Sequence, residues 1–228
     1  LFVKWHKAPV EASKFELHSE MIAPTAAIFH TRMATTGSPT NNNNNHPINT
    51  HHVIGVHNGM LWGETADARR LQLPNEYEVD SEILFRVLDK WSVDTDFDKA
   101  ATAMGSLTGD AAITWLDTRN QRTLYAAALS GRPLIMGMSI APGNEAVVFA
   151  STKQAIEQAA KVLGVPLEVT DCADGQLITA RDGILVDVKS KFTTLDTWAR
   201  YDHSYGNTGY HRSASVVQPP TPPGTSRH

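Results

Sequence analysis

Four apolar segments in the second half of the chain constrain the fold more than any other sequence feature. Each is separated from the next by a short polar stretch rich in Gly, Pro, Asp or Asn, which is the pattern of strands joined by tight turns. They predict an antiparallel meander formed by Asp110–Leu116, Thr123–Leu129, Leu134–Met138 and Ala146–Ala150. Three further strands are predicted after it, namely Leu167–Thr170, Gln176–Ala180 and Ile184–Val188.

Helical patterns occur both before and after this strand-rich stretch. Asp80 and Ser81 offer caps to an amphipathic helix that runs to about Trp91. The other predicted helices are Glu64–Leu71, Asp96–Met104 and one that Ser151-Thr152 caps and that ends at about Leu163. The alternation of helices with antiparallel strands indicates an α+β fold.

The first 60 residues carry the densest group of polar residues. Two short apolar β-like runs, Ala26–Phe29 and Val53–Val56, each end in a polar cluster, as expected where a sheet delivers functional groups to one rim. The asparagine-rich stretch between them predicts a long exposed loop. The elements predicted here are strands at Leu1–Trp5, Thr25–His30 and His51–His57, a short helix at Glu11–Ile22, the loop Thr36–Thr50, and a turn at Asn58-Gly59.

Charge and composition exclude several classes of function. The net charge is -4 and no long Lys/Arg run occurs, so the electrostatic footprint of a nucleic-acid-binding protein is missing. No apolar stretch reaches the roughly 18 to 20 residues that span a bilayer, and the first residues do not form a signal peptide. Cys172, the single cysteine, cannot form an internal disulfide. We expect a cytoplasmic protein that binds a small molecule, with no nucleic-acid or membrane partner.

The composition changes near the C-terminus. After about Lys191 the chain is rich in Gly, Ser, His and Tyr and then in Pro, which is too little apolar surface for a packed core. We expect one domain over residues 1–190 and a disordered tail over residues 191–228.

Four motifs occur in order: His30-Thr31-Arg32-Met33-Ala34-Thr35-Thr36-Gly37, Asn45-His46-Pro47, His57-Asn58-Gly59 and Asp80-Ser81-Glu82. In order and spacing they resemble the glutaminase domain of class II glutamine amidotransferases, which are N-terminal-nucleophile (Ntn) hydrolases. The resemblance covers about the first hundred residues and is looser after them. It implies a four-layer αββα sandwich, here without its first strands, so that one sheet would end in an unpaired edge.

The resemblance assigns a role to each matching residue. The side-chain amide of Asn58 and the backbone N–H of Gly59 would form an oxyanion hole for the amide carbonyl of L-glutamine. The alternative for this dipeptide is a plain hairpin turn. Arg32 would bind the α-carboxylate, with a surface ion pair as its alternative. Asp80 and Thr35 would hold the α-ammonium group, although Asp80 is also placed to cap a helix.

Three departures from the family pattern bear on activity. The family has Trp where this chain has Met33 and His where it has Thr36, which puts glutamine affinity in question. The family attacks with a cysteine at the mature N-terminus, whose own α-amino group is the base. Leu1 is no nucleophile, and the alternative for Cys172 is a lone, partly buried thiol. We therefore expect a truncated sequence that does not hydrolyse glutamine as it stands.

The resemblance implies no cofactor and no metal. It also implies an ammonia-accepting synthase domain further along the same chain, but only a Tyr-containing segment and a Pro-rich tail follow the core here. Either the acceptor is a synthase on another chain, or the parent is a stand-alone glutaminase-like protein. Two other functions stay open. A metal-dependent hydrolase would use His30, His46, His51, His52 and His57, but His51 and His52 would point to opposite faces of a strand. A non-catalytic module would bind glutamine without releasing ammonia.

Overall fold

Successive side chains of a β-strand point to opposite faces of a sheet, so a sheet can pack against other elements on both faces. This chain forms two sheets that pack in this way. The structure is a computed structural model that describes residues 3–16, 24–32, 36–139 and 141–195. The two antiparallel sheets pack face to face, and helices cover the outer face of each, which gives the expected αββα order of layers. The α+β prediction is confirmed.

The larger sheet has six strands in the order β1-β2-β3-β4-β8-β9, and the smaller has three in the order β6-β5-β7. Among the described residues β6 pairs with β5 alone. The strands are β1 Ile48–Asn49, β2 Val53–Trp62, β3 Thr108–Asp117, β4 Thr123–Ser130, β5 Ile135–Ser139, β6 Ala146–Ala150, β7 Glu168–Asp171, β8 Gln176–Arg181 and β9 Ile184–Lys189.

The predicted meander is wrong in one respect, because its four strands are divided between two sheets. β3 and β4 pair in the larger sheet, whereas β5 crosses to the smaller sheet and pairs with β6. The crossing follows the segment Arg132-Pro133, and proline cannot donate to a continuing ladder. This crossing places the β4–β5 connection at the junction of the two sheets.

All four predicted helices are present: α1 Glu64–Leu71, α2 Glu82–Lys90, α3 Phe97–Gly105 and α4 Lys153–Leu163. The Thr152 hydroxyl accepts from Ala155 N–H at 3.2 Å, which confirms that cap. Helix α2 lies on β2 with its apolar face inward. Gly55 of β2 allows this close approach, since an added Cβ would fall within the ring of Phe85.

The two layers of core use opposite faces of the same strands. Trp115 of β3 and Tyr125 of β4 stack at 5.2 Å beneath the helices, where both are buried. Ala112 and Ala128 of these strands face the other way and meet Leu134 at the junction with the smaller sheet. Small side chains on this inner face let the two sheets approach closely.

Two predicted strands near the N-terminus are wrong. Residues 3–5 of Leu1–Trp5 and the whole of Thr25–His30 form no ladder. A strand needs a neighbour, and these segments have the side-chain pattern without a partner. The predicted helix Glu11–Ile22 is reduced to one 3-10 turn, Ala12–Lys14, and residues 17–22 lie outside the described part.

The expected exposed loop at Thr36–Thr50 is wrong as well. Asn44 and Ile48 are fully buried in it, and the residues Asn42–Asn44 form a 3-10 turn. The Asn44 amide donates to Ser38 O at 3.2 Å and to Glu78 Oε2 at 2.9 Å, and its oxygen accepts from Glu78 N–H. The loop is thus packed through asparagine side chains that replace a hydrophobic contact.

Packing continues past residue 190. Phe192 and Leu195 are buried in the larger core, and their N–H groups donate to Gly175 O and Leu129 O. Residues 196–228 lie outside the described part, so the division into a domain and a tail stays a prediction. Among the described residues, no helix is long and apolar enough to cross a membrane.

Candidate active site

A cleft of about 360 Å³ opens where the two sheets meet. Its walls come from the segment 29–31, from β2 and β3, from the β4–β5 connection, and from the C-terminal end of β6. The side chain of Asn58 reaches this cleft and is exposed in it. The cleft is therefore the place where a ligand can contact the Asn58 amide.

Asn58 and Gly59 do not form a turn, so that prediction is wrong. They lie within the ten-residue strand β2, opposite Ala112 and Ala111 of β3. The turn signal of Asn-Gly was overridden because a long neighbouring strand pairs through this position. Gly59 has φ +147, and an added Cβ would fall against the carbonyl oxygen of Asp110, so only glycine fits.

The backbone after Gly59 is held by a side chain of the neighbouring strand. Asp110 Oδ1 accepts from Met60 N–H at 2.9 Å and from Arg132 Nε at 2.8 Å. The ladder between β3 and β4 shifts its register between Ala111 and Ala112, next to the same place. Bulges of this kind re-aim groups near binding sites. The role of Asp110 was not predicted, since an acid within a strand carries no sequence signal for such a contact.

Asp80 is buried and does not cap α2, so the cap prediction is wrong. The N-cap position is Ser81, and it makes no side-chain cap bond. Asp80 Oδ2 accepts from Leu61 N–H at 2.8 Å, and Oδ1 lies 3.4 Å from the Thr36 hydroxyl, which donates to it. The carboxylate therefore ties the start of α2 to the end of β2.

Arg32 is half-buried and contacts the packed loop. Its Nη1 donates to Asn45 Oδ1 at 3.5 Å, and its Nη2 donates to the carbonyl oxygen of Thr36. Thr36 thus connects Arg32 to Asp80. Thr35 and Met33 lie outside the described residues.

The structure sorts the predicted residues into two groups. Asn58 lies on the cleft with Gly59 directly after it in β2, whereas Arg32 and Asp80 are joined through Thr36 and do not line the cleft. Asn45, the further partner of Arg32, was missed by sequence reasoning. The buried Ile48 that follows the asparagine run was the available signal, because an apolar residue there indicates a packed loop.

Three histidines are buried close to these groups. His57 points to the helix side of β2, where Nδ1 lies 2.9 Å from Ser81 Oγ. The rings of His30 and His46 lie 4.2 Å apart, and Nδ1 of His30 and both ring nitrogens of His46 have no partner among the described residues. Burial lowers the pKa of all three, to about 4 for His30 and well below 6.5 for His46. The charge of neighbouring histidines adds to the lowering for His30 and His46, and that of Arg132 adds to it for His57. The three rings are neutral near pH 7.

Cys172 is not a competent nucleophile. It packs in the cluster between the sheets, where its N–H donates to Leu134 O at 2.9 Å. Burial, with the nearby charge of Asp171, raises the pKa of this thiol to about 11. A thiol with that pKa is protonated at neutral pH.

The histidines do not assemble a metal site in the part of the chain that the structure describes. No group of three or more His, Cys, Asp or Glu there is arranged to hold an ion. His51 and His52 precede β2, and their rings lie in contact at 4.1 Å, so the expectation of opposite faces is wrong.

Comparisons with known proteins point to one class of protein. No family model matches the chain. The relatives and structural neighbours that do match are class II glutamine amidotransferases of the Ntn-hydrolase type, and the chain is similar to them over part of its length.

The relatives are glutamine–fructose-6-phosphate aminotransferases. The protein of Salmonella typhi is 33% identical over 121 residues, which is 50% of this chain and 19% of that protein. The protein of Pectobacterium atrosepticum is 30% identical over 136 residues, 57% of this chain and 21% of that protein. The chain thus spans about a fifth of the curated relatives it matches.

A solved structure shares the fold. Glutamine phosphoribosylpyrophosphate amidotransferase of B. subtilis superposes with a TM-score of 0.54 at 21% identity, over 72% of this chain and 34% of that one. At this identity the likeness supports the fold alone.

Proposed function

We propose that this chain is the glutamine-binding part of a glutamine amidotransferase, which holds L-glutamine with its side-chain amide at Asn58 and Gly59. The observation that carries the proposal is the conformation of β2 at the cleft. The Asn58 amide is exposed there, and the next residue has a backbone that only glycine can adopt.

The α-carboxylate and α-ammonium groups of glutamine would be held by the second group of residues. Arg32 offers a planar fork that matches a carboxylate, and the Asp80 carboxylate suits an ammonium group. Thr35, on the segment between Arg32 and Thr36, would add a hydroxyl. Thr36 keeps the two opposite charges at a fixed separation through its carbonyl oxygen and its hydroxyl.

The proposed reaction needs a nucleophile from outside these 228 residues. The thiolate of an N-terminal cysteine would attack the side-chain carbonyl carbon of glutamine, and the oxygen would take up negative charge facing Asn58 and Gly59. The C–N bond would then break, with a proton from the cysteine α-ammonium group going to the departing ammonia. Water would hydrolyse the thioester to glutamate and regenerate the thiol. An ammonia-accepting synthase on another chain would use the ammonia.

Calorimetric titration of the full chain with L-glutamine tests the binding step. We expect saturable binding that L-glutaminamide, which lacks the α-carboxylate, does not compete with. Arg32→Lys should weaken binding about tenfold, because an ammonium cannot serve a bidentate site. Arg69→Lys, at an exposed position of α1, is the matched control. Absence of saturable glutamine binding would remove the proposed function.

Chemistry is tested by adding an N-terminal extension that begins with cysteine and measuring ammonia release. We expect release from glutamine, and a loss of at least about a hundredfold in turnover for Asn58→Ala in that protein. Asn144→Ala, in an exposed turn, is the control. A loss below threefold would exclude Asn58 from the oxyanion hole.

A second candidate function is a glutamine-binding module without catalysis. The raised pKa of Cys172 favours it, because the one thiol of the chain is protonated and packed between the sheets. This function predicts glutamine binding but no ammonia release, even with the extension restored.

A further inference from the structure

We propose that Arg132, which directly precedes the cleft residues Pro133 and Leu134, is a specificity-determining residue that binds the side-chain carboxylate of L-glutamate and makes the site prefer glutamate to glutamine. The inference rests on the proposed function, because it concerns the same cleft and the product of the same reaction. It assigns a role to an arginine that lies 100 positions after Arg32 and outside the four motifs.

Short contacts place Arg132 beside the proposed oxyanion hole. Its Nε donates to Asp110 Oδ1 at 2.8 Å, and the same oxygen accepts from Met60 N–H at 2.9 Å. Met60 directly follows Gly59. The positive charge of Arg132 also contributes to the lowered pKa of His57, the residue before Asn58. The guanidinium group therefore lies next to the backbone that follows Gly59, where the proposed oxyanion hole would hold the amide end of the ligand.

In the part of the chain that the structure describes, Arg132 forms a hydrogen bond through Nε alone, and neither Nη1 nor Nη2 has a partner there. The side chain is 40% exposed, and the next two residues, Pro133 and Leu134, line the cleft.

The chemistry of the fork distinguishes the two ligands. A carboxylate presents two equivalent acceptor oxygens to a guanidinium, whereas a primary amide presents one acceptor and one donor. The donor end of the amide would meet an N–H of the arginine and repel it. Glutamate therefore gains a second charge-assisted hydrogen bond that glutamine cannot form.

Two acidic groups lie close to Arg132 and reduce the preference without abolishing it. Asp110 already accepts two donors on Oδ1, and Asp174 accepts from Gly131 N–H at 3.2 Å. The negative charges of Asp110 and Asp174 repel a ligand carboxylate. The two parallel hydrogen bonds from the guanidinium group to a carboxylate depend on geometry and are still formed. We expect the net preference for glutamate to be on the order of tenfold.

Calorimetric titration of the full chain with L-glutamate and, separately, with L-glutamine at pH 7.5 and low salt tests the proposal. In the unmodified protein the dissociation constant for glutamate should be about tenfold below that for glutamine. Arg132→Gln should bring the two constants to within about threefold, by weakening glutamate and leaving glutamine nearly unchanged. The control is Arg122→Gln, because Arg122 Nε makes a similar ion pair with Asp182 Oδ1 at 2.5 Å and lies at the opposite end of β4 from Arg132.

Each result decides between the two proposals. Binding of both ligands with an unchanged ratio in Arg132→Gln overturns the role of Arg132 and leaves the proposed function in place. An equal loss for both ligands also overturns it, since that pattern is the signature of a structural effect. If neither ligand binds to the unmodified protein, the proposed function itself fails. Arg132→Lys, which keeps the charge but not the fork, should retain only part of the preference and gives the same test if Arg132→Gln does not fold.

Discussion

The Thr36 hydroxyl lies 3.4 Å from Oδ1 of Asp80, across 44 positions of the chain. The carbonyl oxygen of Thr36 accepts a hydrogen bond from Arg32. Thr36 therefore connects the arginine that would bind the α-carboxylate of glutamine to the aspartate that would bind its α-ammonium group. Thr36 stands where the similar family has histidine. The threonine at this position, which put glutamine affinity in question, is therefore itself part of the hydrogen-bond network that joins Arg32 to Asp80.

Replacing Thr36 by Val should weaken L-glutamine binding by about three- to tenfold, because Asp80 would lose one of its two donors and turn away from the ammonium group. Thr36→Ser should bind as the unmodified protein does. Titration calorimetry measures both. Thr40→Val is the control, since Thr40 is exposed and its hydroxyl pairs with Ser38 Oγ, away from Asp80. Equal affinities for Thr36→Val and the unmodified chain would exclude the link from the site.

Replacing Gly59 by Ala should lower the free energy of unfolding by about 4 kcal/mol, from backbone strain together with a clash against Asp110. Gly63→Ala isolates the strain alone, because Gly63 has φ +77 with nothing near its Cβ position. It should cost about 1 to 2 kcal/mol. Urea denaturation followed by circular dichroism gives both values. Similar losses for the two variants would show that the contact with Asp110 does not restrict residue 59.

Replacing Asn44 by Ala should lower the free energy of unfolding by about 2 to 3 kcal/mol. The change leaves Glu78 N–H and the carbonyl oxygen of Ser38 without the buried side chain of Asn44 as their partner. Asn43→Ala, at an exposed position of the same asparagine run, should cost less than about 0.5 kcal/mol. Denaturant titration distinguishes them, and equal values would contradict the packed form of the loop.

Stability should fall as the pH drops from about 6.5 toward 4. The pKa of His30 is lowered to about 4 from 6.5, mainly by burial, so the unfolded state binds a proton that the folded state rejects in this window. The loss from His30 alone reaches about 3 kcal/mol at the lower limit. The lowered pKa values of His46 and His57 act in the same direction.

Urea denaturation at a series of pH values measures this dependence. His30→Gln should flatten the slope between pH 6.5 and 4, whereas His51→Gln should leave it unchanged because His51 is exposed. A slope that His30→Gln does not alter would show that His30 is protonated in the folded state.

The sequence was sufficient to predict the elements with long and regular patterns. The four helices and the seven strands from Thr108 to Lys189 were found close to their bounds because each has a clear period and a turn or cap at its ends. The assignment of β5 and β6 to a separate sheet could not be read from sequence, since strand pairing depends on contacts between distant segments.

The errors cluster at the candidate site, where tertiary contacts decide local structure. Asn58-Gly59 has the composition of a hairpin turn but pairs within β2, and the asparagine run has the composition of an exposed loop but is packed against Glu78. The contacts of Asn45, Asp110 and Arg132 were not predicted. A hydrogen bond between two polar side chains that are distant in the chain produces no periodic pattern in the sequence.

The confinement of Asn58 within β2 also bears on the chemical durability of the chain. In a flexible Asn-Gly pair, the glycine nitrogen attacks the asparagine side chain and converts it to aspartate through a cyclic imide. Pairing with Ala111 and Ala112 holds both residues within the ladder, so the nitrogen is kept from that attack. Deamidation would put a negative charge where the proposed site needs a neutral donor. Strand β2 thus protects the exposed side-chain amide of Asn58 from deamidation, to which an Asn-Gly sequence is prone.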